Sequence, residues 1–448
     1  MNTIIKSNEP YYYMNLQQKV WNIYSYIKDN VYLCRSDIVI DNYPINSTLL
    51  FGIMTSLVNG KQLIYGEYGL GKTTSSENII CMLYSFPKEV VLASSLKGTP
   101  EQTEEKMIAR PHLGDLNKGI ENVIWSDFVL IGPKIIDELN RMPPSKQNIL
   151  LEGTDRGIWK YLNDFLKNDS LAIYSTSNYK DSGNTDVIPP LLDRFDVAVE
   201  SKHPGINNLR YRRSVPRGDD LYDKEIADKM FSIMSVEKDY AKLNNQIRDL
   251  RSEYHKRLVE RINVDLLSLD EQEEARREIL NMRVGKDGNL FYDIIISELA
   301  SCQVFGQKRS NEQCKTGCHY SNYLCNKVSN CLSVRSDTSL KNYSAALAWL
   351  FGKSEVESEH LAIVLPYVIW HKTQFKKEYL SQFEEEERKD PLHLHVAKKS
   401  VEQMRKRFSE IKPIQEDMIN AIIRKDINAA KNIASNSDHP VFREYLYL

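Results

Sequence analysis

The chain of 448 residues carries 59 Lys and Arg against 61 Asp and Glu, a formal charge of −2, which excludes a strongly basic coat for nucleic acid. At ~150 residues per domain the length suits roughly three packing units, and 42% apolar residues can fill a sizeable core. With 19 glycines, 16 prolines, 27% charged and 10% aromatic residues, collagen-like, low-complexity and wholly disordered chains are excluded, and a globular, rather helical protein is expected.

Residues 1–14, within an N-terminal segment spanning 1–36, are polar and tyrosine-rich, without the basic leader or apolar stretch of a secretory signal. The longest apolar run, 361–370, contains a proline and falls short of the ~18 residues that cross a bilayer. A cytoplasmic location without membrane insertion is therefore expected. From 37 to 205 short apolar runs at 63–65, 89–93, 135–136 and 171–175 read as buried strands between helix-like segments, the pattern of an α/β unit with a parallel sheet. Thr99-Pro100-Glu101-Gln102 predicts a helix start, with Thr99 as cap, Pro100 in the first turn and Gln102 closing a capping box, the helix reaching about residue 108.

From 206 to 300 the strand signal fades. Ile226, Met230, Ile233, Tyr240, Leu243, Ile247, Leu250 and Tyr254 follow a 3-4 spacing that predicts a long amphipathic helix. Ser268 and Glu271 match a capping box opening another helix to about residue 282. This pair either packs on the rest of the chain or projects as an antiparallel arm. A cysteine-rich segment follows at 301–332, then a helical unit at 333–375 with helices over 340–351 and 360–371. In the tail, 376–448, the acidic run 384–387 suits a solvated face and 400–435 a last helix.

The most specific motif is Gly66-Glu67-Tyr68-Gly69-Leu70-Gly71-Lys72-Thr73, which follows a strand, precedes a helix and matches G-x-x-x-x-G-K-[ST]. Glycines let backbone amides turn around phosphate oxygens, and the helix beginning near Lys72 adds the positive end of its dipole. In that reading residues 66–74, Thr74 included, cradle ATP; Lys72 reaches the β and γ phosphates and Thr73 ligates Mg2+. Lys134-Ile135-Ile136-Asp137-Glu138 ends a strand with adjacent acids, placing Asp137 at the metal's water shell and Glu138 as the group that polarises attacking water.

Asp137-Glu138-Leu139-Asn140-Arg141-Met142-Pro143-Pro144, continued by Gln147 and Leu150-Leu151-Glu152, resembles the signature of the MoxR family of AAA+ ATPases, in the clade with helix-two and pre-sensor-two inserts. Ser175-Thr176-Ser177-Asn178 resembles its sensor-one segment, which makes Asn178 the side chain that positions water. Leu191-Leu192-Asp193-Arg194-Phe195 resembles its L-D-R-F segment, which makes Arg194 an arginine finger supplied across a subunit boundary. Ser333-Val334-Arg335, with Trp349-Leu350-Phe351-Gly352 and His360-Leu361, resembles its lid, with Arg335 as sensor two. Residues 110–132, strand-like over 123–131, occupy the place of its helix-two insert hairpin. The resemblance implies an AAA+ P-loop core, an all-helical lid carrying a long helical insertion, and a homo-oligomeric ring, a hexamer, that hydrolyses ATP to remodel or assemble a protein client. Such ATPases often serve proteins with a von Willebrand factor A domain. The alternative function is a nucleic-acid translocase or restriction-type motor on the same core, whose evidence is two basic groups, Arg210, Arg212, Arg213, Arg217 and Lys398, Lys399, Arg405, Lys406, Arg407. Such groups more often form solvated helix faces, and the near-neutral balance gives no large electrostatic footprint.

Cys302, Cys314, Cys318, Cys325 and Cys331 fall within 30 residues at spacings C-x11-C-x3-C-x6-C-x5-C, with His319 beside Cys318. Structural zinc, an iron–sulfur cluster, disulfides and unliganded thiols all fit this set, which lacks the two-residue gaps of zinc ribbons. Cys34 and Cys81 read as core residues.

Overall fold

A computed structural model describes residues 15–117, 119, 122–168, 171–179, 185–214, 219–299, 318 and 320–447. Helix α1 (Leu16–Tyr26) runs on through a π turn, Ile27–Val31, toward α2 (Ser47–Val58). The sheet then begins with β1 (Lys61–Tyr65), followed by α3 (Lys72–Leu83), α4 (Lys88–Ala93), β2 (Leu96–Lys97), β3 (Lys134–Asp137), α5 (Pro144–Arg156), β4 (Ile173–Ser177) and β5 (Val197–Glu200). The strands lie in the order β5-β1-β4-β3-β2, every pair parallel. Leu63, Ile64, Ile135, Ile136, Ile173, Tyr174, Val197, Ala198 and Val199 are all buried, the continuous apolar habit of strands covered on both faces.

One expected strand is a helix. Residues 89–93 form α4, because Pro87 sets the cap, Glu89 falls in the first turn, and Val90 and Val91 are buried side by side while Leu92 is exposed. A short apolar run does not separate strand from buried helix by period alone. The sheet takes its edge strand β2 three residues later. The helix expected from Thr99 opens instead at Glu104, capped by Thr103. The Gly98 amide is tied to the Asp137 carbonyl at 2.7 Å, which keeps the chain extended alongside β3 before it can coil, and the Thr99 hydroxyl meets Gln102 Oε1 at 3.0 Å. Within 123–131 only Val123–Trp125 is strand, paired antiparallel with Ala109–Pro111; Ser126 then caps a helical turn, Asp127–Leu130. A second hairpin pairs Ile158–Tyr161 with Asp164–Lys167.

The long amphipathic period is divided into α6 (Lys224–Val236) and α7 (Tyr240–Ile262), because the Asp239 carboxylate accepts the Ala241 and Lys242 amides and starts a new helix. Helix α8 (Leu269–Asn281) carries the expected Ser268–Glu271 capping box in full. These helices do not project. Leu243, Ile247, Tyr254 and Leu258 of α7 are buried, and α8 packs on α2 and on α10 (Val334–Leu350). Before α10 comes α9 (Lys286–Leu299), and after it α11 (Ser358–Ile369), which lies against β5. The expected tail helix is two: α12 (Leu392–Ile423) and α13 (Ile427–Ser435), the latter capped by Asp426. The acidic run 384–387 is exposed. One apolar core joins α1, α2, the sheet and helices α6 to α12, and a smaller cluster lies under α13. No helix among the described residues is long and apolar enough to cross a membrane.

Candidate active site

In a parallel sheet the chain leaves every strand at the same edge, so loops after neighbouring strands gather at its carboxyl end. Here β1 delivers the 66–74 loop, β3 delivers Asp137 and Glu138, β4 delivers Asn178, and β5 delivers Ser201. They meet at a cavity of about 740 Å³ lined by Tyr68, Gly69, Leu70, Gly71, Lys72, Thr73, Thr74, Asp137, Glu138 and Asn178, among others. Gly69 and Gly71 hold φ near +74° and +75°, a backbone that side-chain-bearing residues adopt at a cost, and Gly71 caps α3. Gly66 and Glu67 reach the site through their carbonyls. Lys72 Nζ donates to Gly66 O (2.8 Å), Glu67 O (2.9 Å) and Asn178 Oδ1 (2.6 Å). Burial lowers its pKa, while the carboxylates of Asp137, Glu138 and Glu67 oppose that shift.

Asp137 Oδ1 accepts hydrogen bonds from the hydroxyls of Thr73 and Thr176, each at 2.6 Å. A hydroxyl and a carboxylate this close are two hard oxygen donors at one point, the set a small divalent cation such as Mg2+ takes. Thr176 Oγ1 in turn accepts the Glu138 amide at 2.8 Å. Glu138 sits in the left-handed region (φ 53°, ψ 48°), where a residue with a side chain is strained by about 1–3 kcal/mol. Its carboxylate meets Asn178 Nδ2 at 3.4 Å and pairs with Arg141 at 3.5 Å. Arg141 and Lys72 both lie over the Tyr68 ring, 5.9 and 6.0 Å from its centre.

Several supporting residues lay beyond sequence reasoning. Asn140 holds Asn178 through both backbone groups, Nδ2 to O at 3.0 Å and Oδ1 from N at 3.4 Å. Ser201 Oγ donates to Leu70 O at 3.0 Å and meets Tyr32 OH at 3.2 Å, joining three separate segments. Gly98 lies where a Cβ would run into the Glu138 carbonyl. Nothing local marks Ser201 or Gly98, and Asn140, though inside the 137–144 signature, was given no role by it; all three matter through neighbours distant in the chain.

Arg194 and Arg335 are placed together and away from the cavity lining. Both reach Asp155, Arg194 at 3.7 Å and Arg335 at 3.3 Å; Arg335 also reaches Asp193 at 3.4 Å, and Arg194 donates to Pro190 O at 2.8 Å. Of the cysteines, Cys302 and Cys314 lie outside the described residues, as does His319. Cys325 is buried with its thiol 3.8 Å from Tyr320 O, and Cys318 and Cys331 are half-buried. Among the described residues no group of three or more His, Cys, Asp or Glu forms a metal site, so the zinc expectation gains no support there.

No family model and no curated protein matches the chain. Among solved structures it is similar to a "putative ATPase" from Cytophaga hutchinsonii, with a TM-score of 0.54 and 14% identity over 87% of this chain and 94% of that one. The likeness is one of fold, which in this chain is mixed α/β with a five-stranded parallel sheet and a large helical part.

Proposed function

We propose that the chain is a Mg2+-dependent ATPase of the MoxR type that hydrolyses ATP in an oligomeric ring, a hexamer, and uses the cycle to remodel or assemble a protein client, such as one with a von Willebrand factor A domain. The observation that carries the reading is the convergence of Lys72, Thr73, Asp137, Glu138 and Asn178 on one cavity from three strands far apart in sequence. Lys72 and the amides of 69–74 neutralise phosphate charge; Thr73 and Asp137 would hold Mg2+. When bound, that ion supplies charge stabilisation to the phosphoryl oxygens. Glu138, oriented by Thr176 and Asn178, takes a proton from the attacking water, and Asn178 positions that water. Arg194 and Arg335, grouped at Asp155, act on a neighbouring protomer's cavity and so make turnover depend on assembly.

A protein client is favoured over nucleic acid by the pairing of three of the five cations in the second basic group, of which Arg405 and Lys406 are exposed. Lys398 pairs with Asp390 at 2.7 Å, Lys399 with Glu402 at 3.3 Å, and Arg407 with the buried Glu298 at 2.7 Å. In the test, Lys72→Ala abolishes ATP binding, whereas Glu138→Gln binds ATP and loses turnover by about 10²-fold or more. Undiminished hydrolysis by Glu138→Gln refutes the assigned base. Affinity capture with the Glu138→Gln chain then identifies the client.

A further inference from the structure

The cavity has a second half, beyond the phosphate loop, that no step above uses. Two segments wall it, residues 28–33 from the π turn onward, and Asp219, Leu221 and Tyr222 before α6. Asn78 and Lys88 tie these walls together. Asn78 Nδ2 donates to Val31 O (3.3 Å), Lys88 Nζ to Asn78 Oδ1 (2.7 Å), and the Lys88 amide to Leu221 O (2.9 Å). The Lys88 ammonium is neutralised by Glu77 at 2.8 Å.

The second wall is gripped from behind by α7. Tyr254 OH donates to Leu221 O at 2.8 Å, and Arg261 Nη1 donates to the carbonyls of Asp220 at 2.7 Å and Tyr222 at 2.6 Å. Arg261 Nη2 also reaches the Asp223 carboxylate at 3.0 Å. The carbonyls of residues 220, 221 and 222 thus all accept side-chain hydrogen bonds from one helix. Tyr254 is fully buried. The wall so held presents Leu221 and Tyr222 to the cavity, with Tyr32 on the segment opposite. A flat aromatic base attached to phosphates held at Lys72 has Leu221 and Tyr222 to lie against, with the polar side chains of Lys28, Asp29 and Asp219 in the same lining to meet its edge.

We propose that α7 is the positioning element for the nucleobase half of the site, with Tyr254 and Arg261 fixing Asp220–Tyr222 against the base. This rests on the nucleotide reading of the cavity and adds to it a role for the helical insertion. Arg261 and Tyr254 are positioning residues: they touch the wall, and the wall touches the base.

The experiment is calorimetric titration of the full chain with MgADP and, separately, with magnesium pyrophosphate, which has the phosphates and no base. For Arg261→Met the ADP Kd should rise about tenfold and for Tyr254→Phe about threefold, while the pyrophosphate Kd stays within about twofold. A loosened fold would weaken both ligands together, so the split isolates the wall. Tyr254→Phe removes a single hydroxyl, which keeps the test available if Arg261→Met fails to fold. Unchanged ADP binding in the folded variants, or equal weakening of both ligands, overturns the proposal while leaving the phosphate site intact. A wild-type chain that binds neither ligand overturns the nucleotide reading, and the wall's role with it.

Discussion

Glu138 is aimed by its backbone as much as by its side chain. Its left-handed conformation persists because Thr176 takes the amide and Asp137, one residue earlier, takes the Thr176 hydroxyl. Thr176→Val removes both bonds at once, so it should cost about 1–3 kcal/mol in urea unfolding and lower kcat more than it changes KM for ATP. Gly98→Ala should act on the same point by pushing on the Glu138 carbonyl, with loss of turnover and retained nucleotide binding as the readout. At the opposite end of β3, Lys134 is buried with its ammonium on the carbonyls of Phe128 (2.7 Å), Val129 (3.3 Å) and Ile131 (2.7 Å). Burial pushes its pKa down to about 7 from 10.5. Above pH 7 the folded chain has released a proton that the unfolded chain keeps until about pH 10.5, so the destabilisation is full below pH 7 and fades through that window. The unfolding free energy of the wild type relative to Lys134→Met should therefore rise between those limits, and a flat difference would contradict the assignment.

At the scale of elements, local chemistry sets the boundaries and neighbours set the type. The Ser268–Glu271 box is visible in sequence because its partners are three residues apart, and Ser268→Ala should cost about 1 kcal/mol by denaturant unfolding. Asp239 and Asp426 end one helical period and start another, a break that apolar spacing alone passes over. Residues 88–93 went the other way, since their apolar run suits either state and the sheet edge was already taken by β2. Helix α5, which the sequence analysis did not assign, is bounded by local signals all the same, the Pro143-Pro144 start and the Gly157 stop.

For the molecule as a whole, the proposed ring would complete each site with the arginine pair that sits at Asp155 in the single chain. With neither Arg194 nor Arg335 in the cavity lining, specific activity should fall on dilution as the assembly dissociates. Mixing Arg194→Ala chains with Lys72→Ala chains should restore part of the ATPase rate, because one supplies the pocket and the other the finger. Turnover that stays constant at every dilution would show a self-sufficient protomer. At the same scale α7, packed into the common core through Leu243, Ile247, Tyr254 and Leu258, also braces residues 220–222.

The phosphate loop, the acid pair and the Ser268–Glu271 capping box were legible in the sequence alone, since each acts within a few residues of itself and carries its own chemical pattern. Tertiary structure decided the rest: which threonine aims Glu138, which serine braces the loop, whether 206–300 projects or packs, and that two arginines 141 residues apart in the chain share one aspartate. Those facts depend on contacts between segments brought together only by folding, where free energy comes from burial and paired polar groups that no local pattern encodes.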